Sequence, residues 1–108
     1  MTTSKATAKR TVLVRYKTSE AQAQANESLV HAVFDELRVR KPEGLRYSIY
    51  KLADGVTFIH VATLETRDND PLATLPSFKA FQAQLKDRCV ELPAVTELSP
   101  VDSYSFVA

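Results

Sequence analysis

The chain has 108 residues, enough for one domain with a single core and little to spare. Fourteen Lys and Arg nearly balance thirteen Asp and Glu, and Lys5, Lys9 and Arg10 fall in the first ten residues, so the remainder is slightly acidic. That excludes the basic face of a nucleic-acid binder, and no apolar run is long enough to span a bilayer. The single cysteine, Cys89, excludes an internal disulfide and points to a reducing, cytoplasmic setting. Met1 to Arg10 is polar and rich in Thr, Lys and Ala; it reads as a disordered tail ahead of one domain over 11–108, not as a signal peptide.

Thr11 to Lys17 is a short β-branched run that predicts a first strand, with Val12, Val14 and Tyr16 on one face and Leu13, Arg15 and Lys17 on the other. Ser19-Glu20-Ala21-Gln22 matches a capping box, and a long helix follows to about Val39. Leu29, Val30, Val33, Phe34 and Leu37 form its apolar stripe, spaced three and four apart. Pro42 prevents continuation, and Gly44 lets the chain turn.

Gly44 to Glu65 holds two strand-like runs joined by Asp54-Gly55, a pair that suits a two-residue type I′ turn. Centring the hairpin there pairs Ala53 with Val56, Lys51 with Phe58, Ile49 with His60, Tyr47 with Ala62 and Leu45 with Leu64. One face is then mostly apolar and carries Tyr47, Phe58 and His60. The other is mixed yet holds Tyr50, Leu52, Ile59 and Val61, too apolar for a wetted face. After a loop over 67–71, Asp70 and Pro71 predict one short capped helical turn. Ser77 is the expected cap of a second helix over 78–88, striped by Phe78, Phe81 and Leu85. Pro93 marks a connection, and a last strand is expected over about 95–106, with a break or bulge at Pro100.

The order β-α-β-β-α-β predicts an α+β, ferredoxin-like domain: a four-stranded antiparallel sheet with two helices on one face. Two helices cover only one face. The face with Tyr50, Ile59 and Val61 therefore calls for a second sheet, which a homodimer supplies.

Ser19 with its long helix, Ala53 to Val56 (ADGV), Phe58 to Glu65 (FIHVATLE), Asn69 to Phe81 (NDPLATLPSFKAF) and the terminal strand carry a family likeness. Over about 11–107 the chain resembles the dimeric α+β barrel proteins, in particular those grouped with antibiotic biosynthesis monooxygenases. The resemblance implies a homodimer whose sheets form one barrel, with a pocket between helices and sheet in each subunit. It implies, for some members, oxidation of polyphenolic rings by oxygen without metal or flavin, so no cofactor is expected here. The haem-degrading branch fits poorly: this chain has no Trp, and it offers Phe78 and Phe81 where that branch uses an iron-ligating His.

Among residues that carry chemistry, His60 stands out. It is either a ligand-binding or proton-accepting imidazole in a pocket, or a buried neutral ring held by a Tyr or by backbone. Tyr47, Phe58, Phe78 and Phe81 are the expected substrate-binding walls. Glu27, His31 and Asp35, each four apart, read as a solvated helix-surface cluster rather than a cation site, and no metal-ligand set is present. Cys89 sits at a helix C-terminus, where the dipole does not favour a thiolate; it reads as core filler. Three functions compete. The first is a cofactor-independent monooxygenase acting on a phenolic or quinol-like small aromatic ligand. The second is a non-catalytic homodimeric module binding a metabolite or a protein. The third is an RNA reader of the same element order, which lacks its motif in VTFIHVAT.

Overall fold

The computed structural model of the protein describes residues 9–66 and 69–104. Strand β1 (Arg10–Thr18) leads through Ser19 into helix α1 (Glu20–Arg40). Strands β2 (Leu45–Lys51) and β3 (Thr57–Leu64) form the hairpin. A 3₁₀ turn (Pro71–Thr74) precedes helix α2 (Pro76–Ala83), a one-turn helix α3 (Leu85–Arg88) and strand β4 (Cys89–Leu98). The sheet order is β2-β3-β1-β4, all antiparallel, so the ferredoxin-like α+β class stands. The expected tail lies outside the described residues up to position 8, and Arg10 already belongs to β1. The last strand ends at Leu98 and not near 106 as expected: positions 99–104 are not strand, and 105–106 lie outside the described residues.

The hairpin register is the expected one: Lys51 faces Phe58, Ile49 faces His60, Tyr47 faces Ala62 and Leu45 faces Leu64. The turn is different. Leu52 N–H donates to Thr57 C=O, and Gly55 N–H donates to Leu52 C=O, so four residues, Ala53 to Val56, form the loop. Only Gly55 among them has positive φ (+78°), where a type I′ turn needs two such residues. The Asp54 carboxylate organises this wider loop. It accepts from the Val56 and Thr57 amides and from the Thr57 hydroxyl, and these bonds hold its pKa down at about 2. Widening the loop by one residue on each side leaves the pairing centre unchanged, so every side chain keeps its face.

Three local expectations need correction. Ser19 is the N-cap of α1, but its side chain makes no capping bond; Gln22 N–H instead donates to Ser19 C=O. Ser77 does not cap α2 either: Pro76 takes the first position, and Glu36 of α1 accepts from both the amide and the hydroxyl of Ser77. That carboxylate also pairs with Arg40 at 2.6 Å, and so ties α1 to the start of α2. Finally, β4 begins at Cys89 and runs through Pro93 instead of starting after it. Arg15 faces Ala94 while Lys17 faces Glu91, so Leu92 and Pro93 together oppose Tyr16. Proline has no N–H to give a ladder, and a bulge on an edge strand is where it is tolerated. Asp70 behaves as expected, accepting from Leu72 N–H at the head of the 3₁₀ turn.

The core lies between the helices and one face of the sheet. Tyr16, Val30, Val33, Phe58, Leu72, Leu75 and Phe81 fill it. Burial alternates along β3: Phe58, His60, Ala62 and Leu64 are buried, and Ile59, Val61 and Thr63 are half-buried. No helix among the described residues covers that second set, and Tyr50 beside it is 56% exposed.

Candidate functional site

A cavity of about 330 Å³ opens between the sheet and α2, and Tyr16, Tyr47, His60, Leu72, Phe78 and Phe81 contribute to its lining. The strand period of two puts Tyr16 of β1, Tyr47 of β2 and His60 of β3 on the same face. Val14 faces His60, and Tyr16 faces Phe58, across the β1–β3 ladder. Phe78 and Phe81, three apart on α2, close the opposite side with rings 6.1 Å apart. Asp70, Arg10 and Lys86 bring charged groups to a largely apolar lining.

Both nitrogens of the His60 ring are engaged. Nε2 lies 2.8 Å from the Tyr16 hydroxyl and Nδ1 lies 2.9 Å from the Tyr47 hydroxyl. Burial lowers its pKa from 6.5 to about 4, so the ring is neutral near pH 7. Burial likewise pushes the Tyr16 phenol up to about 12, against a smaller opposing effect of the Asn26 hydrogen bond. Tyr47 is raised further, chiefly by burial, with Tyr16 and Asp70 adding to it. Both tyrosines are therefore protonated donors at neutral pH. The Tyr47 ring stacks on Phe34 of α1 at 5.2 Å and 3°, which fixes where its hydroxyl points. His60 packs 5.4 Å from Phe81.

The network extends beyond the residues that sequence reasoning singled out. Asn26, 0% exposed, donates from Nδ2 to the Tyr16 hydroxyl at 2.9 Å. Arg88, also buried, donates from Nε to Asn26 Oδ1 at 3.0 Å and from Nη2 to the Phe81 carbonyl at 2.7 Å. A continuous chain thus runs Arg88–Asn26–Tyr16–His60–Tyr47 and ends at the cavity. The sequence carries a signal for both missed members. Asn26 precedes Val30 by four and so sits on the buried stripe of α1. Arg88 continues the spacing of Phe78, Phe81 and Leu85. A polar residue on an apolar stripe marks a buried partner.

Of the expected site residues, His60, Tyr47, Phe78 and Phe81 meet at the cavity. Phe58 does not line it; its ring stacks behind Tyr16 at 5.5 Å. Glu27 turns from His31 (3.7 Å) to Lys51 of β2 (2.7 Å) on the surface. Among the described residues no group of three or more His, Cys, Asp or Glu side chains is placed to hold a metal. Nor is any helix among them long and apolar enough to cross a membrane. Cys89 is half-buried against the core, and burial raises its thiol pKa.

This chain has the ferredoxin-like fold of the antibiotic biosynthesis monooxygenase-like proteins of the dimeric α+β barrel family. Rv0793 of Mycobacterium tuberculosis matches with TM-score 0.73 and 24% identity, over 91% of this chain and 100% of that one. A candidate antibiotic biosynthesis monooxygenase of Nitrosomonas europaea matches with TM-score 0.71 and 16% identity, over 86% and 90%. SnoaB, a cofactor-independent oxygenase of Streptomyces nogalater, matches with TM-score 0.68 and 14% identity, over 91% and 98%. At these identities the likeness is one of fold. No family model and no curated protein matches the chain.

Proposed function

We propose that the protein is a small-molecule pocket enzyme, a cofactor-independent monooxygenase acting on a phenolic or quinol-like substrate. One observation carries this reading: an apolar cavity of about 330 Å³ meets a hydroxyl–imidazole–hydroxyl array at one wall. Such chemistry asks little of the protein. The substrate anion itself reduces oxygen, so the site must hold the ring and stabilise the anion. Tyr47 meets the substrate oxygen. His60 stands directly behind Tyr47, with both nitrogens committed to tyrosines, and reaches the substrate through it. Phe78 and Phe81 hold the ring. The substrate proton leaves to solvent through the open side of the cavity. A sealed helix–sheet space would favour the non-catalytic metabolite-binding or protein-interaction module instead, and this cavity is open.

Anthrone, which has a phenolic tautomer, provides the test. Its oxidation balances as anthrone plus oxygen giving anthraquinone plus water. One oxygen atom enters the ring carbon that loses its two hydrogens, and the other leaves as water. Oxygen uptake above the protein-free rate is expected, and Tyr47→Phe should lower the enzymatic rate by roughly a hundredfold, the effect of losing one donor to a developing oxyanion. No uptake above background, or a Tyr47→Phe rate equal to the parent's, would overturn the reading.

The same reading includes a homodimer in the cytoplasm. Ile59 and Val61, half-buried on the unroofed sheet face beside exposed Tyr50, support a second copy as their cover. Ile59→Asp or Val61→Asp should split the dimer, because each puts an unpaired charge into a dry interface. Sedimentation at micromolar concentration reads this directly; a monomeric parent, or variants that stay dimeric, would contradict it.

A further inference from the structure

We propose that the hydrogen-bond chain from Arg88 to Tyr47 has one fixed polarity, which holds His60 as its Nδ1–H tautomer and turns the Tyr47 proton into the cavity, so that the pocket selects ligands through an acceptor oxygen, a quinone-type carbonyl or a phenolate. This deepens the function proposed above and rests on it for the ligand class alone; the polarity follows from the hydrogen bonds.

Arginine has donors and no acceptor, so Arg88 Nε must donate, and the Asn26 atom facing it must be the amide oxygen. The Asn26 nitrogen is then the atom at 2.9 Å from the Tyr16 hydroxyl, and it donates. Tyr16 has one proton left to place. Among the described residues its hydroxyl has one further hydrogen-bond partner, Nε2 of His60, at 2.8 Å. Were Nε2 the donor, the Tyr16 oxygen would receive two protons and its own would be buried without an acceptor, on a side chain 1% exposed. Buried donors are not left so. Tyr16 therefore donates to Nε2, and the neutral ring carries its proton on Nδ1. Nδ1–H donates to the Tyr47 oxygen at 2.9 Å. The Tyr47 proton then has only the cavity to face. Arg88 and Asn26 are positioning residues: neither reaches a ligand, yet together they decide whether the hydroxyl at the cavity gives or takes a hydrogen bond.

One isosteric change reverses the chain. In Asn26→Asp the carboxylate accepts from Arg88 and from Tyr16 alike. The Tyr16 proton swings to it, the Tyr16 oxygen accepts from Nε2–H, and Nδ1 accepts the proton of Tyr47, which turns away from the cavity. Long-range ¹H–¹⁵N correlation of the His60 ring separates the two tautomers. The parent protein at pH 7 should show Nδ1–H, and Asn26→Asp should show Nε2–H. Binding of 1,4-naphthoquinone, which only accepts hydrogen bonds, should weaken about tenfold in Asn26→Asp. An Nε2–H tautomer in the parent, an unchanged tautomer in the folded variant, or equal quinone affinity in the two would overturn the proposal. Should Asn26→Asp fail to fold, the parent tautomer alone decides. Because that measurement needs no turnover, Nδ1–H without oxygen uptake on anthrone would remove the oxygenase reading and leave the polarity standing; oxygen uptake with Nε2–H would do the reverse.

Discussion

Asn26→Ala should destabilise the protein by roughly 2–4 kcal/mol, more than the same change at any exposed position of α1. Asn26 links a buried guanidinium to a buried phenol: it accepts a hydrogen bond from Arg88 Nε and donates one to the Tyr16 hydroxyl. Truncation strips one partner from each at once, in a place where the two residues are 6% and 1% exposed. Water is poorly able to replace the amide there, so the cost is that of unsatisfied groups and not merely of lost bonds. The neighbouring Glu27→Ala provides the control. Its carboxylate bonds Lys51 at the surface, and exposed pairs contribute about 0–1 kcal/mol. Urea denaturation at equal protein concentration checks both, since a dimer's stability depends on concentration. An Asn26→Ala loss below about 1 kcal/mol would mean that the chain is wetter than its burial implies.

The second large effect is a loss of stability on mild acidification. The His60 pKa falls from 6.5 to about 4 on folding, because burial penalises the charged ring. Between those values the unfolded chain binds more protons than the folded one, so stability rises with pH there. The contribution is fully present above about pH 6.5 and is lost as the pH falls toward 4; a shift of this size corresponds to about 3 kcal/mol in all. From pH 7 to pH 5 the parent should lose about 2 kcal/mol by this route. Asp54, Glu27 and Glu36 have lowered pKa values, so their contributions are lost only at lower pH. His60→Gln should be less stable at pH 7 and nearly flat from pH 7 to 5. A parent as stable at pH 5 as at pH 7 would place the imidazole in contact with water.

The parts of this structure that could be read from the sequence are those set by period and parity. The hairpin centre at Asp54-Gly55 placed Tyr47, Phe58 and His60 on the roofed face, and the wider loop did not disturb that because it grew by one residue on each side. Helix α1 was legible from its stripe and from Pro42. Contacts between distant segments were not. The expected cap at Ser77 is displaced by Glu36, forty-one positions earlier. Strand β4 was masked at its start because the helical spacing of Phe78, Phe81 and Leu85 runs on to Arg88, and because Pro93 reads as a breaker unless its place in a bulge is known. Within the site, Tyr47 and His60 could be named from their strand faces, whereas Asn26 and Arg88 look like surface residues until one notices that each interrupts an apolar stripe. Phe58 was placed on the correct face, but Tyr16 lies between it and Phe81, a layer that face assignment alone does not resolve.

The proposed function requires a small aromatic molecule in the space between Tyr47 and Phe81, with its oxygen on the Tyr47 hydroxyl. Titration of isotope-labelled protein with anthrone under nitrogen, followed through the side-chain resonances of Tyr47, His60, Phe78 and Phe81, addresses it without turnover. Saturable shifts centred on these four residues, lost in Tyr47→Phe, are the result expected. No saturable shift, or shifts centred on the outer sheet face around Tyr50 and Val61, would contradict it.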